Sequence, residues 1–269
     1  MAERFDPDGK VALITGGAGG IGFALARRCG AAGSRVALLD IDEAGLAERS
    51  ASLAEANVEH VVRRCDVTDR ADVAAAVGEV CERFGGVDVL FNNAGMSHRS
   101  AFRDTAAVVY ERVIAVNVFG SLYCAQAALP SLLRRKGMIV VTSSIAGFAP
   151  LLGRTGYCAS KYALHGMFET ARAELIGTGV SVLMVCPSFV DTGIVANALD
   201  AAGERTERPR VEVGKAASPD YVAGRILQAV RRRRRFLVLS ATGRAALLLS
   251  RLAPGTYERF IRRRFADEL

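Results

Sequence analysis

Short runs of aliphatic and β-branched residues recur along the first three quarters of the chain, at 10–14, 35–39, 58–63, 87–91, 138–141 and 180–185. Each is too short for a helix and almost wholly apolar, so each predicts a strand buried on both faces. Between them lie longer alanine-rich stretches, 20–31, 43–56, 69–84, 111–133 and 157–176, whose apolar positions recur at helical spacing. Strand and helix in regular alternation demand parallel strands joined by crossover helices. The pattern therefore predicts an α/β fold, a doubly wound parallel sheet with helices on both faces.

After Pro187 the pattern loosens over 193–215, where apolar residues mix with Gly203, Pro209 and many charges. Ser218-Pro219-Asp220 then predicts a helix start, with Ser218 as N-cap and Pro219 in the first position. Segment 236–239 predicts a seventh strand, and 245–264 an apolar then basic helical tail broken near Pro254-Gly255. With no internal repeat and no low-complexity linker, the expectation is one domain over 1–269.

Composition narrows the class. Hydrophobic residues make up 51% and charged residues 23%, enough apolar content for a sizeable core. The six cysteines form no C-x-x-C pair and no cluster with histidine, which predicts reduced buried thiols and no metal. The start Met1-Ala2-Glu3-Arg4-Phe5-Asp6 has no apolar leader and no run reaches about 18 apolar residues, so a soluble cytoplasmic protein is expected. The net charge of +7 is unevenly placed: 231–269 holds 11 arginines against Glu258, Asp267 and Glu268, an excess of +8 that leaves the first 230 residues near −1. The body thus lacks the basic stripe that nucleic acid requires. For the tail three readings stand: a solvated or oligomer-contact face, a peripheral membrane element, and nucleic-acid binding.

The first strand runs into Thr15-Gly16-Gly17-Ala18-Gly19-Gly20-Ile21-Gly22, where a helix begins. Gly16 permits a sharp turn, Gly20 a close approach of backbone to a pyrophosphate, and Gly22 the packing of helix on strand, while the helix N-terminus attracts the anion. The plain alternative is an ordinary tight turn. Asp40 closes the second strand, 18 residues after Gly22, where a carboxylate accepts hydrogen bonds from ribose hydroxyls and repels a 2′-phosphate. Ile41 follows it and the loop carries no arginine, so NAD is favoured over NADP; otherwise Asp40 merely caps a turn.

Tyr157 and Lys161 stand four apart, one turn from each other on one helix face. A nearby ammonium favours the phenolate, and a phenol so tuned can exchange a proton with an alcohol oxygen. Taken alone the pair is commonplace, a solvated lysine beside a packed tyrosine. Ser144 ends the strand 138–141, thirteen residues before Tyr157; Asn92-Asn93-Ala94-Gly95 follows the strand 87–91 at the same sheet edge; and Asn117 lies in the long helix 111–133. Its amide is placed to link Lys161 to solvent through water.

From about Lys10 to Thr192 the chain resembles the short-chain dehydrogenase/reductase family. The family's T-G-x-x-x-G-x-G falls on Thr15, Gly16, Gly20 and Gly22, and its N-N-A-G on Asn92 to Gly95. The resemblance implies a Rossmann domain, an adenine site at Asp66 and Val67, and a catalytic set of Asn117, Ser144, Tyr157 and Lys161. In it Lys161 lowers the tyrosine pKa and bonds the nicotinamide ribose, Ser144 polarises the substrate oxygen, Tyr157 transfers the proton and Asn117 completes the relay. Ser143 is the alternative serine; Ile145-Ala146-Gly147 after Ser144 favours the latter. The family's P-G-x-x-x-T appears as Pro187-Ser188-Phe189-Val190-Asp191-Thr192, so glycine is replaced, and Pro187, Val190 and Thr192 are expected against the nicotinamide.

Segment 193–215 corresponds to the family's substrate lid, with Ile194, Val195, Ala198 and Leu199 as apolar lining beside Phe148, Leu151 and Leu152. These side chains predict a hydrophobic secondary alcohol or ketone of steroid, retinoid or fatty-alcohol type. The ending resembles that of lipid, steroid and retinol dehydrogenases, and the family implies a homodimer or homotetramer packed through 111–133 and 157–176. A cofactor-sensing regulator on the same fold is the main alternative, and an epimerase or dehydratase a further one. A sensor has no chemical need for Ser144, Tyr157 and Lys161, and only about 75 residues follow Thr192, few for a sugar-nucleotide domain.

Overall fold

A computed structural model of the protein describes residues 4–193, 197–206 and 216–266. Seven parallel strands, β1 (Val11–Thr15), β2 (Arg35–Asp40), β3 (His60–Arg64), β4 (Val89–Asn92), β5 (Met138–Thr142), β6 (Ser181–Cys186) and β7 (Phe236–Val238), form one sheet in the order β3-β2-β1-β4-β5-β6-β7. Seven strands in a doubly wound sheet are what the hydrophobic runs predict. Strand order reverses between β1 and β4, so their carboxyl ends diverge and open a crevice there.

Helices α1 (Gly20–Gly30), α2 (Glu43–Glu55), α3 (Arg70–Phe84), α4 (Ala107–Ile114), α5 (Ser121–Arg135), α6 (Thr155–Glu174) and α7 (Pro219–Arg231) surround the sheet. One core joins α1, α2 and α7 to one face through Leu25, Leu46, Leu53 and Ile226; the other joins α3, α5 and α6 through Val77, Leu132 and Phe168. Ser218 caps α7 with its hydroxyl accepting from the Tyr221 amide, as its sequence signature predicts. Asp42 and Asp69 cap α2 and α3 in the same manner.

The stretch read as one helix over 111–133 departs from that reading. It begins earlier, at Ala107, and between α4 and α5 it widens into a π-helical turn, Ala115–Gly120, which contains Asn117. The extra residue per turn rotates the side chain of Asn117 relative to a regular helix, a device that recurs at functional sites. Residues 113–133 are uncharged, and by length and composition alone the helix Ala107–Arg135 could cross a membrane, where the sequence was read as having no such run. Here α5 packs on α3 and β4, as a core helix does.

The tail forms two helices, α8 (Ala241–Leu252) and α9 (Pro254–Arg264), broken at Ala253 as Pro254-Gly255 predicts, although α8 starts four residues before the expected 245. Their inner faces enclose a third apolar cluster, in which Tyr257, Ile261 and Phe265 meet Phe148 and Cys186.

A buried histidine fixes the start of α6. His98 has no exposed surface; its Nε2 accepts the Gly156 amide at 2.8 Å, so its Nδ1 carries the proton shared with the Ser100 hydroxyl at 3.1 Å. Burial, seconded by the Arg154 charge, pushes its pKa down to about 4. A depressed histidine contributes stability that is present above its unfolded pKa near 6.5 and is lost as pH falls toward 4. The expected result is a melting temperature that drops between pH 6.5 and 4.5, with a shallower drop in His98→Gln. Parallel curves for the two proteins would refute it.

Candidate active site

The crevice between the carboxyl ends of β1 and β4 is a cavity of about 880 Å³. One end is bounded by the glycine loop, where α1 begins at Gly19 with no side chain to satisfy its first-turn amides. Those N–H groups are left for an anion. Gly20 adopts a φ of +50°, open to glycine at little cost, and a Cβ there would stand 2.9 Å from the Thr192 side chain. Gly22 lets α1 approach the strand ends: a Cβ would lie 2.0 Å from the carbonyl of Gly16, directly after β1, and 2.9 Å from the Asn93 side chain, directly after β4.

Thr15 and Asn93 hold this end together. The Thr15 hydroxyl accepts the Asn93 and Ala94 amides, each at 3.0 Å, and the Asn93 side chain donates to the Thr15 and Gly16 carbonyls. Gly16, Gly20, Ile21, Asn93, Ala94 and Gly95 line the cavity; Thr15 and Gly22 stand behind it as supports.

Asp40, Asp66 and Val67 also line the cavity, where Ile41 and Asp42 join them. Each oxygen of the Asp40 carboxylate accepts one backbone amide, Ala18 at 2.9 Å and Asp42 at 3.1 Å, so the turn-capping reading holds as well. Each oxygen keeps a further lone pair, enough to take two hydroxyls. Arg49 reaches the loop at the Ala18 carbonyl, but its guanidinium lies over the Phe23 ring and outside the cavity lining. Open helix amides and an acid at the end of β2 together fit an adenine dinucleotide.

The other end carries Ser144, Tyr157 and Lys161. Ser144 N-caps a 3₁₀ turn, Ile145–Gly147, and its hydroxyl bonds the Tyr157 phenol. Enclosure pushes the phenol up to about 12, against the smaller opposing pulls of Ser144 and Arg154. The phenol thus stands above its ordinary value, where the spacing of Tyr157 and Lys161 alone predicts it lower. Lys161 is itself buried and pushed down to about 8; its ammonium donates to the Thr142 carbonyl at 2.8 Å and sits 5.6 Å from the tyrosine ring centre. Burial is the largest cause of both shifts.

The Asn117 side chain accepts the Met96 amide at 2.9 Å and donates to the Met96 carbonyl and the Ser160 hydroxyl, on the same side of Gly95 as the Lys161 ammonium. In this arrangement it ties the loop after β4 to α6, a positioning task. Pro187, Val190 and Thr192 line the cavity as expected, and Ser188, standing for the family's glycine, is outside the left-handed region, so this turn has no need of glycine.

Of the proposed substrate residues Leu151 lines the cavity. Phe148 does not; it is 2% exposed and packs on His165 and Phe236 in the tail's cluster. Leu199 is buried against His98, with its neighbours Asn197 and Ala198 on the cavity wall, and Ile194 and Val195 fall outside the described residues. The sequence reading missed Met96, Phe189, Arg154 and Arg205 on that wall, and behind it a chain in which the His165 Nε2 meets the Ser143 hydroxyl at 3.0 Å and its Nδ1 meets Glu169 at 3.0 Å. Spacing does carry that last signal: Lys161, His165 and Glu169 recur every four residues on α6.

Comparison with known proteins agrees with this geometry. The short chain dehydrogenase family model matches residues 10–203. Dehydrogenase/reductase SDR family member 7B of Bos taurus is 36% identical over 96% of this chain and 82% of its own. Meso-2,3-butanediol dehydrogenase of Serratia marcescens is 35% identical over 80% of this chain and 85% of its own. A short-chain dehydrogenase/reductase from Burkholderia phymatum, solved with NAD, superposes with a TM-score of 0.85 at 30% identity, covering 94% of this chain and 96% of that one. An alcohol dehydrogenase from Thermococcus sibiricus, solved with 5-hydroxy-NADP, superposes at 0.75 with 27% identity, covering 86% and 95%. With its glycine loop, its Ser144, Tyr157 and Lys161 around one crevice and this breadth of matching sequence, the chain belongs to the short-chain dehydrogenase/reductase family of oxidoreductases.

Proposed function

We propose that the protein is an NAD-dependent dehydrogenase that interconverts a hydrophobic secondary alcohol and its ketone. The observation that carries this reading is the Ser144–Tyr157–Lys161 set facing the same cavity as Asp40. When bound, NAD would accept the hydride in alcohol oxidation, and NADH would donate it in ketone reduction. Ser144 and Tyr157 hold the substrate oxygen between their hydroxyls, and the phenol passes the proton to or from it. With its pKa near 12 the phenol is protonated at neutral pH, ready to act as acid in ketone reduction. In alcohol oxidation it must first lose that proton, and the Lys161 ammonium beside it favours the phenolate.

Asp40, Asp42 and Asp66 at the ribose end support NAD, since a 2′-phosphate there would face carboxylates. Met96, Ile145, Leu151, Phe189 and Ala198 on the wall support an apolar substrate, and relatives named as dehydrogenases of an alcohol agree with the reaction class. Arg154 and Arg205 on the same wall favour a second reading of the substrate, an apolar alcohol that also carries an anionic group.

Turnover of a panel of secondary alcohols with NAD, comparing wild type with Tyr157→Phe, tests the chemistry. The expected loss in the variant is ~10²–10⁴-fold in kcat with NAD binding retained, the range for removal of a positioned acid/base. A variant within about threefold of wild type would remove Tyr157 from the mechanism. Panel members bearing a carboxylate separate the two substrate readings, and turnover of polyols alone would overturn both.

Asp40→Ala tests the cofactor assignment separately. The ratio of kcat/KM for NAD over NADP should fall by about tenfold or more, ~1.4 kcal/mol of discrimination. An unchanged ratio would mean that Asp40 does no more than cap its turn.

A further inference from the structure

The tail hairpin presents two unlike faces. Inward, Ala246 and Leu247 of α8 and Tyr257, Ile261 and Phe265 of α9 close the third apolar cluster. Outward, α8 shows Leu248 at 61% and Leu252 at 81% exposure, and α9 shows Phe260 at 58%. At 100° per residue, Ala241, Ala245, Leu248 and Leu252 fall on one arc of α8, with Arg244 and Arg251 along its edge. Side chains this apolar on a helix that already has a buried face are not needed to close the core.

Charge narrows what can cover this arc. Within 241–266 six arginines stand against Glu258 alone, a net charge of +5, with Asp267 and Glu268 following outside the described residues. A second copy of the chain related by two-fold symmetry would bring the same cationic face against itself, so like charges would meet across the contact. An anionic lipid surface has the complementary charge and an apolar layer just beneath it. Leucines flanked by arginines fit both at once: the leucines enter the acyl boundary while the guanidiniums stay among the headgroups.

We infer that α8 and α9 dock the protein on anionic membrane surfaces, with Leu248 and Leu252 as the inserted side chains. The placement has a consequence for the site. Ile145, Leu151 and Phe189 pack against the hairpin's cluster and also line the catalytic cavity, so docking sets the hairpin and its inner cluster between the lipid and the substrate end of that cavity. The inference stands independently of the substrate reading, because its test measures binding and not turnover.

The experiment is sedimentation of the full-length protein with phosphatidylcholine vesicles, with and without phosphatidylglycerol, for wild type and the double variant Leu248→Glu/Leu252→Glu. Wild type should bind the anionic vesicles at least tenfold more tightly than the zwitterionic ones and be released by high salt. The double variant should lose at least tenfold of that affinity while keeping the wild-type melting temperature and NAD affinity, which exclude unfolding. Wild type failing to bind anionic vesicles, or the variant binding them as well as wild type, would overturn the inference. So would light scattering in which the variant dissociates an oligomer without any change in vesicle binding, since the arc would then be a self-interface.

Discussion

One hydroxyl joins the two halves of this molecule. Thr15, at the end of β1, accepts the Asn93 and Ala94 amides at the end of β4 and donates to the Phe91 carbonyl. These are the two strands between which the order of the sheet reverses, the place where crossovers leave in opposite directions and no helix covers the strand ends. The joint is 2% exposed, so its hydrogen bonds do not compete with water. The glycine loop departs from one side of it and Asn93–Gly95 from the other; the cavity is what lies between. A lost Thr15 hydroxyl would leave two part-buried amides without this partner and loosen both walls together.

The catalytic end depends on the opposite balance, groups held where solvation is poor. Lys161 is 3% exposed and meets the Thr142 carbonyl, while the Tyr157 phenol is enclosed. Burial raises the phenol and lowers the ammonium, moving their pKa values apart, to about 12 and about 8. The second layer keeps the geometry: Asn117 clamps Met96 to Ser160, and His98 holds the Gly156 amide directly before Tyr157.

Much of this was legible in the sequence, and for physical reasons. Buried parallel strands are continuous apolar runs, so the seven strands and the crevice at their carboxyl ends follow from the pattern. Glycine, serine, tyrosine and lysine at fixed offsets carry the site because turns and helix faces impose those offsets. What escaped depended on long-range packing. Asn117 sits in a π-helical turn that no periodicity announces, and its amide partners lie 21 and 43 residues away. Lys161 beside Tyr157 predicted a lowered phenol pKa because spacing reports proximity but not burial. Phe148 was placed in the substrate pocket by its position between Ser144 and Tyr157, yet the tail, arriving from a hundred residues on, claims it for another core.

That last displacement says how the end of the chain reaches the chemistry. The 3₁₀ turn after Ser144 puts Ile145 on the cavity side and Phe148 on the tail side of one thin wall. The tail is fastened to that wall by polar bonds as well: the Ser250 hydroxyl to the Phe148 carbonyl at 3.2 Å and the Tyr257 hydroxyl to the Pro150 carbonyl at 3.1 Å. Gly243, at the first turn of α8, lies where a Cβ would come within 3.0 Å of Ile145. Close-packed interiors transmit displacement rather than absorb it. The tail therefore backs the wall that carries Ile145, although none of its described residues lines the cavity.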